Sequence, residues 1–189
     1  MYFWFMLAAE KKKKYTVADY LLLEEGAPFQ LINFDLVMSP SANPLHQQIL
    51  FQLSEIIVLY HIKLGRKGQW MYAPMDVKFD DGNVLQPDIL YISEERKAEV
   101  IRERVEGAPD LIIEILSPSN AYYDLRQKKD IYEKYGVKEY IIIDPIDRSA
   151  DLYALKDGVY NLQQRARLNE LLNSVLLPGF DIEINNLFK

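Results

Sequence analysis

Apolar and polar positions change period several times along this chain. From 46 to 65, apolar residues recur at 49, 50, 53, 56, 57, 60 and 64, helical spacing that stops at Gly65. Upstream, "TVADYLLLEEG" predicts a short helix, with Thr16 and Asp19 as a capping-box start and Gly26 as a stop. "FQLINFDLVMS" (29–39) reads as a strand that turns out at "PSANP". "QWMYAPMDVKF" (69–79) reads as a strand interrupted or edge-like at Pro74, "DDGN" as a hairpin turn, and "VLQPDILYI" (84–92) as the returning strand. "EERKAEVIRERVEG" is a charged, exposed helix or loop, and "DLIIEILS" (110–117) is the most apolar strand. "AYYDLRQKKDIYEKYG" (121–136) is a helix with a glycine stop, and "KEYIIID" (138–144) another strand. "ADLYALKDGVYNLQ" is a hairpin turning at "KDG", and "VLLPGFDIEINNLF" a last short strand with a closing turn.

From 46 to 144 the order is therefore helix, strand, strand, strand, helix, strand, which places the chain in a mixed α/β (α+β) class. No linker rich in Gly, Pro or Ser divides it. The expected organisation is an N-terminal extension over 1–15 and one domain over 16–189.

One position breaks the pattern of the most apolar strand. Alternation puts Glu114 on the face of Asp110, Ile112 and Leu116, opposite Leu111, Ile113 and Ile115. A carboxylate buried there requires a partner, a hydrogen bond or a metal. Asp88 is a second acid of this kind, beside Pro87 where an edge or bulge can re-aim a side chain. If their strands pair, the two carboxylates project to one spot.

The helix at 121–136 supplies a third group. On a wheel centred on Lys128, Ala121, Leu125, Ile131, Tyr132 and Tyr135 fall within roughly 60°, whereas Lys129 falls at about 100°. Lys128, with Asp124 beside it, thus points towards the sheet and Glu114. Two carboxylates that hold a hard cation, with a lysine next to them, suit metal-assisted phosphodiester hydrolysis. Spacing alone favours the plainer reading, a structural Glu114–Lys128 ion pair with an Asp124–Lys128 helical pair.

Composition narrows the classes. The chain has no cysteine, which excludes disulfides and cysteine-based metal sites or nucleophiles, and is compatible with the cytoplasm. A net charge of −6 argues against a generic basic nucleic-acid binder. The start, "MYFWFMLAAEKKKKY", reverses the order of a secretory signal and reads as an extension packed on the domain or a partner, without stable membrane insertion. The 13 tyrosines fall mostly at core-like positions. Arg126, Lys129 and Lys134 lie on the outer side of their helix, where they could meet a DNA backbone.

"TVADYLLLEE", "LVMSPSANPLHQQI", "QPDILYI", "GAPDLIIEILSPSNAYYDLRQKKDIYEKYGVKEYIIIDP" and "LLPGFDIEI" resemble the Uma-two family of the restriction-endonuclease-like, PD-(D/E)XK nuclease superfamily. The resemblance implies a helix-strand-strand-strand-helix-strand core, a central mixed sheet flanked by helices and extra terminal strands. It implies a Mg- or Mn-dependent endonuclease acting on DNA, with a possible homodimer framing the cleft. By resemblance Asp88 and Glu114 are the metal-binding acids, the Ile115 carbonyl a further ligand, and Lys128 the catalytic lysine, since the usual position holds Leu116. His46 is an accessory residue at the start of the long helix, and Asp124 another. The family commonly has Glu where this chain has Gln30, Asp-Gly at Asn33-Phe34, and Arg at Gln86. Those departures motivate the competing expectation, a non-catalytic binding or scaffold module that retains the fold.

Overall fold

Two prolines divide the predicted strands of this protein between two β-sheets. A computed structural model describes residues 13–39, 41–117 and 123–189, and of residue 124 the backbone alone. The expectations for residues 1–12, for Ala121 and the start of its helix, and for the Asp124 side chain fall outside the described residues. In chain order the elements are α1 (Val17–Tyr20), β1 (Phe29–Ile32), β2 (Asp35–Met38), α2 (Pro44–Lys63), β3 (Gln69–Tyr72), β4 (Val77–Asp80), β5 (Asn83–Leu85), β6 (Ile89–Ile92), α3 (Lys97–Val100), β7 (Val105–Glu106) and β8 (Leu111–Ile115). A π-helical turn (Tyr123–Lys128), α4 (Lys129–Tyr135), β9 (Glu139–Asp144), β10 (Ser149–Lys156), β11 (Val159–Arg167), β12 (Leu171–Asn173), β13 (Asp181–Glu183) and a closing 3₁₀ turn (Ile184–Phe188) follow.

One sheet has the order β2-β1-β5-β4-β7, the other β11-β10-β9-β8-β6-β3. Each predicted strand of the central ribbon is thus two strands. The 69–79 segment leaves the larger sheet as β3 and enters the smaller as β4, through Pro74. The 84–92 segment returns from β5 to β6 through Pro87. A proline has no N–H to give a ladder, so each marks a natural break in pairing. Asp88 sits in the second crossing rather than within a strand, and its carbonyl accepts from the Ala73 N–H of the first at 3.0 Å.

The larger sheet is mixed: β8 and β9 run parallel, and β6 antiparallel to β8. Its two faces carry separate clusters. Leu111, Ile113 and Ile115 pack with Ile49, Leu53 and Ile57 of α2. Ile112 and Leu116 pack with Ile131, Tyr132 and Tyr140, and with Leu85 and Val77 of the smaller sheet. Each such fully buried side chain contributes about 1.5–3 kcal/mol of transfer free energy. Both faces of β8 are therefore covered, which explains its apolar run.

Local signals account for the ends. Thr16 and Asp19 form the expected capping box, although α1 is a single turn that ends before Gly26. Asn43 caps α2 by accepting from the His46 N–H, with Pro44 in the first turn. Predicted as one strand, 29–39 is a hairpin that turns at Asn33 and Phe34, both with positive φ, 51° and 66°. The charged 94–107 stretch forms the short helix α3 and then pairs β7 parallel to β4. At the base of β8, buried Asp110 accepts from Lys138, Arg96 and the Ser93 N–H. Burial alone would raise its pKa, but these donors hold the carboxyl below the ordinary aspartate value. No described helix is long and apolar enough to cross a membrane.

Candidate active site

The sheet-to-sheet crossing and the end of β8 meet at one cleft of about 490 Å³, lined among others by His46, Gln86, Asp88, Glu114, Ile115 and Lys128. The register Ile89↔Ile113, continued by one step, sets Asp88 across from Glu114. The Asp88 N–H stands 3.4 Å from Glu114 Oε2. The two acids from different elements are thus neighbours, as alternation and pairing predict.

Asp88 is held at one oxygen. Its Oδ2 accepts the Ile115 N–H at 2.7 Å and lies 3.1 Å from His46 Nε2. His46 is buried in the first turn of α2, so the long helix supports the acid through this contact. In a strand, a residue's N–H and C=O face the same neighbour. The Ile115 carbonyl therefore points to the side on which its N–H holds Asp88.

Glu114 is only 2% exposed and Lys128 only 3%. Lys128 Nζ donates to Glu114 Oε1 at 2.9 Å, and the Tyr132 hydroxyl donates to the same oxygen at 2.7 Å. The lysine falls on the buried face, as the wheel predicts, with Ile131 and Tyr132. Leu125 does not: it is 44% exposed. It lies in the π-helical turn, whose i→i+5 closure advances each residue less around the axis than an α-helix does. That turn carries Leu125 off the stripe and ends at Lys128.

The departures noted at Gln30, Phe34 and Gln86 separate into two places. Gln30 and Gln86 line the cleft. Gln30 Oε1 accepts the Gln86 N–H at 2.8 Å and its Nε2 donates to Ser39 Oγ at 2.6 Å. Gln86 Nε2 donates to Asp76 at 2.9 Å, and Asp76 also accepts from the Tyr20 hydroxyl. Burial, with the Asp76 charge beside it, pushes the Tyr20 pKa up, so this hydroxyl stays a donor. Phe34 is remote from the cleft, and its ring covers Gly82, where a Cβ would approach to 2.6 Å.

The donor set fits a hard cation. Asp88 and Glu114 supply oxygens, and the Ile115 carbonyl faces the same side. Among the described residues no three His, Asp or Glu side chains form a ready cage. Magnesium does not demand one: it takes one or two carboxylates and fills its octahedron with water and substrate phosphate. The residue that sequence reasoning gave no role is Tyr132, and the signal was present, because it lies one turn after Lys128 on the same stripe.

Comparison with known proteins agrees with this fold. The model of the Uma2 family, described as "Putative restriction endonuclease", matches residues 17–185. A protein of Synechocystis sp. is 28% identical over 145 residues, which are 74% of this chain and 80% of that protein. The crystal structure of "a putative nuclease belonging to DUF820" from Anabaena variabilis aligns with a TM-score of 0.72 at 22% identity. It covers 92% of this chain and 97% of that one. This likeness shows the fold, a nuclease-like α+β architecture.

Proposed function

Because the chain belongs to the Uma2 family, we propose that it is a Mg- or Mn-dependent endonuclease hydrolysing DNA phosphodiester bonds. The observation that carries this reading is the meeting of Asp88, Glu114, Lys128 and the Ile115 backbone at one cleft wall. A buried ion pair kept only for stability is a poor investment, because its desolvation cancels much of its attraction.

Asp88, Glu114 and the Ile115 carbonyl would hold the cation. When bound, such a cation polarises a phosphoryl oxygen and lowers the pKa of a water. The protein's own groups do the rest. His46 and the Ile115 N–H fix the Asp88 carboxylate. Lys128 brings a positive charge to the cleft wall, where it stabilises negative charge developing on the phosphate or orients the attacking water.

Nicking of supercoiled plasmid with Mg²⁺ or Mn²⁺ tests the assignment. Asp88→Asn and Glu114→Gln are expected to lose metal-dependent cleavage while far-UV circular dichroism stays native. Cleavage that persists in both variants overturns it. The neutral Gln30 at the cleft wall favours the second reading, a nuclease-fold module that does not cleave. Manganese titration separates the two: no binding, or binding untouched by Glu114→Gln, supports the module.

A further inference from the structure

Two donors converge on a single oxygen of Glu114. Tyr132, with 0% exposure, and Lys128 both donate to Oε1, while Oε2 is the oxygen nearer Asp88. The two donors differ in kind. The Tyr132 ring is packed between Phe79, at 5.6 Å between centroids, and Tyr140, at 5.2 Å edge-on. Its hydroxyl is therefore fixed in place. Lys128 carries its ammonium on a flexible four-carbon stem that can re-aim. A buried carboxylate oxygen that loses a donor is costly, so a fixed donor on Oε1 lowers the cost of moving Lys128 away from it.

We propose that Tyr132 is the positioning residue of the cleft: its hydroxyl holds Glu114 Oε1 so that Oε2 stays beside Asp88 for the cation, and so that Lys128 can turn to the reacting phosphate without the carboxylate rotating. This assignment rests on the nuclease reading above. It divides the work of two helix residues one turn apart, Tyr132 anchoring and Lys128 acting.

The test compares wild type, Tyr132→Phe and Phe79→Leu by calorimetric titration with Mn²⁺ and by kinetics of plasmid cleavage. Supporting partners of metal ligands typically contribute 10- to 100-fold in affinity or activity. Tyr132→Phe, which removes one oxygen and keeps the ring, is expected to weaken Mn²⁺ binding about tenfold or more and to lower kcat with KM for DNA unchanged. Phe79→Leu loosens the same ring but keeps the hydroxyl, and is expected to weaken Mn²⁺ binding less than Tyr132→Phe does. A metal-free crystal structure of Tyr132→Phe is expected to show Glu114 rotated. Wild-type protein that binds no Mn²⁺ overturns the nuclease reading and the positioning role together. Wild-type protein that binds, with Tyr132→Phe equal to it, overturns the positioning role alone. An equal loss in Phe79→Leu assigns the effect to packing and overturns it as well.

Discussion

Lys128→Met converts a buried ion pair into a stranded carboxylate. Lys128 Nζ lies 2.9 Å from Glu114 Oε1, and both residues are almost wholly buried. Removing one partner of such a pair typically costs about 3–5 kcal/mol. Two features limit the loss here. The Tyr132 hydroxyl remains on Oε1, and hydrogen bonds to charged groups are worth about 1.5–3 kcal/mol. A stranded glutamate can also take up a proton, at about 1.36 kcal/mol for each pH unit above its ordinary value near 4.3, which caps the penalty near 4 kcal/mol at pH 7. The lower half of the range wins, and about 3 kcal/mol is expected. For a chain of this size that lowers Tm by about 6–12 °C. Adding Glu114→Gln removes the stranded charge and leaves an acceptor for Tyr132, so the double variant is expected to recover at least about 1 kcal/mol. Urea unfolding of both single variants, the double variant and wild type at pH 7 measures the coupling. The expectation fails if Lys128→Met costs less than about 1 kcal/mol, or if the double variant equals the sum of the singles.

Further outcomes follow from the buried acids and the cleft wall. Asp110 has a folded pKa below its ordinary value of 3.8. Its contribution is therefore fully present above that value and is lost as pH falls through the folded one. Wild type should exceed Asp110→Asn in urea midpoint near neutral pH, and the two curves should converge as pH drops from about 5; parallel curves would remove Asp110 from the acid limb. Gln30→Glu can accept from both the Gln86 N–H and the Ser39 hydroxyl while adding a third carboxylate to the cleft. Manganese binding is expected to tighten several-fold by calorimetry, and unchanged affinity would place Gln30 outside the ion's reach.

What the sequence determined by itself was what local period records. Alternation put Glu114 on one face of β8, and the helical stripe selected Lys128 over Lys129. The turn residues of "KDG" set the β10–β11 hairpin, where Asp157 and Gly158 take positive φ. Each signal lies within a few residues of the feature it sets, so the chain carries it without help. Tertiary structure decided the rest. Period alone could not divide 69–79 and 84–92 between two sheets, because the sheet a strand joins depends on partners far away in sequence. The same holds for the site. Asp88 meets His46 across 42 positions, and Glu114 meets it across 26. Leu125 left its predicted stripe because a π-helical turn changes the period on which the wheel depends. Leu125 apart, sequence thus determined which way these side chains face along their own elements. Only packing decided which elements face each other, because that choice is made by burial and pairing over the whole fold.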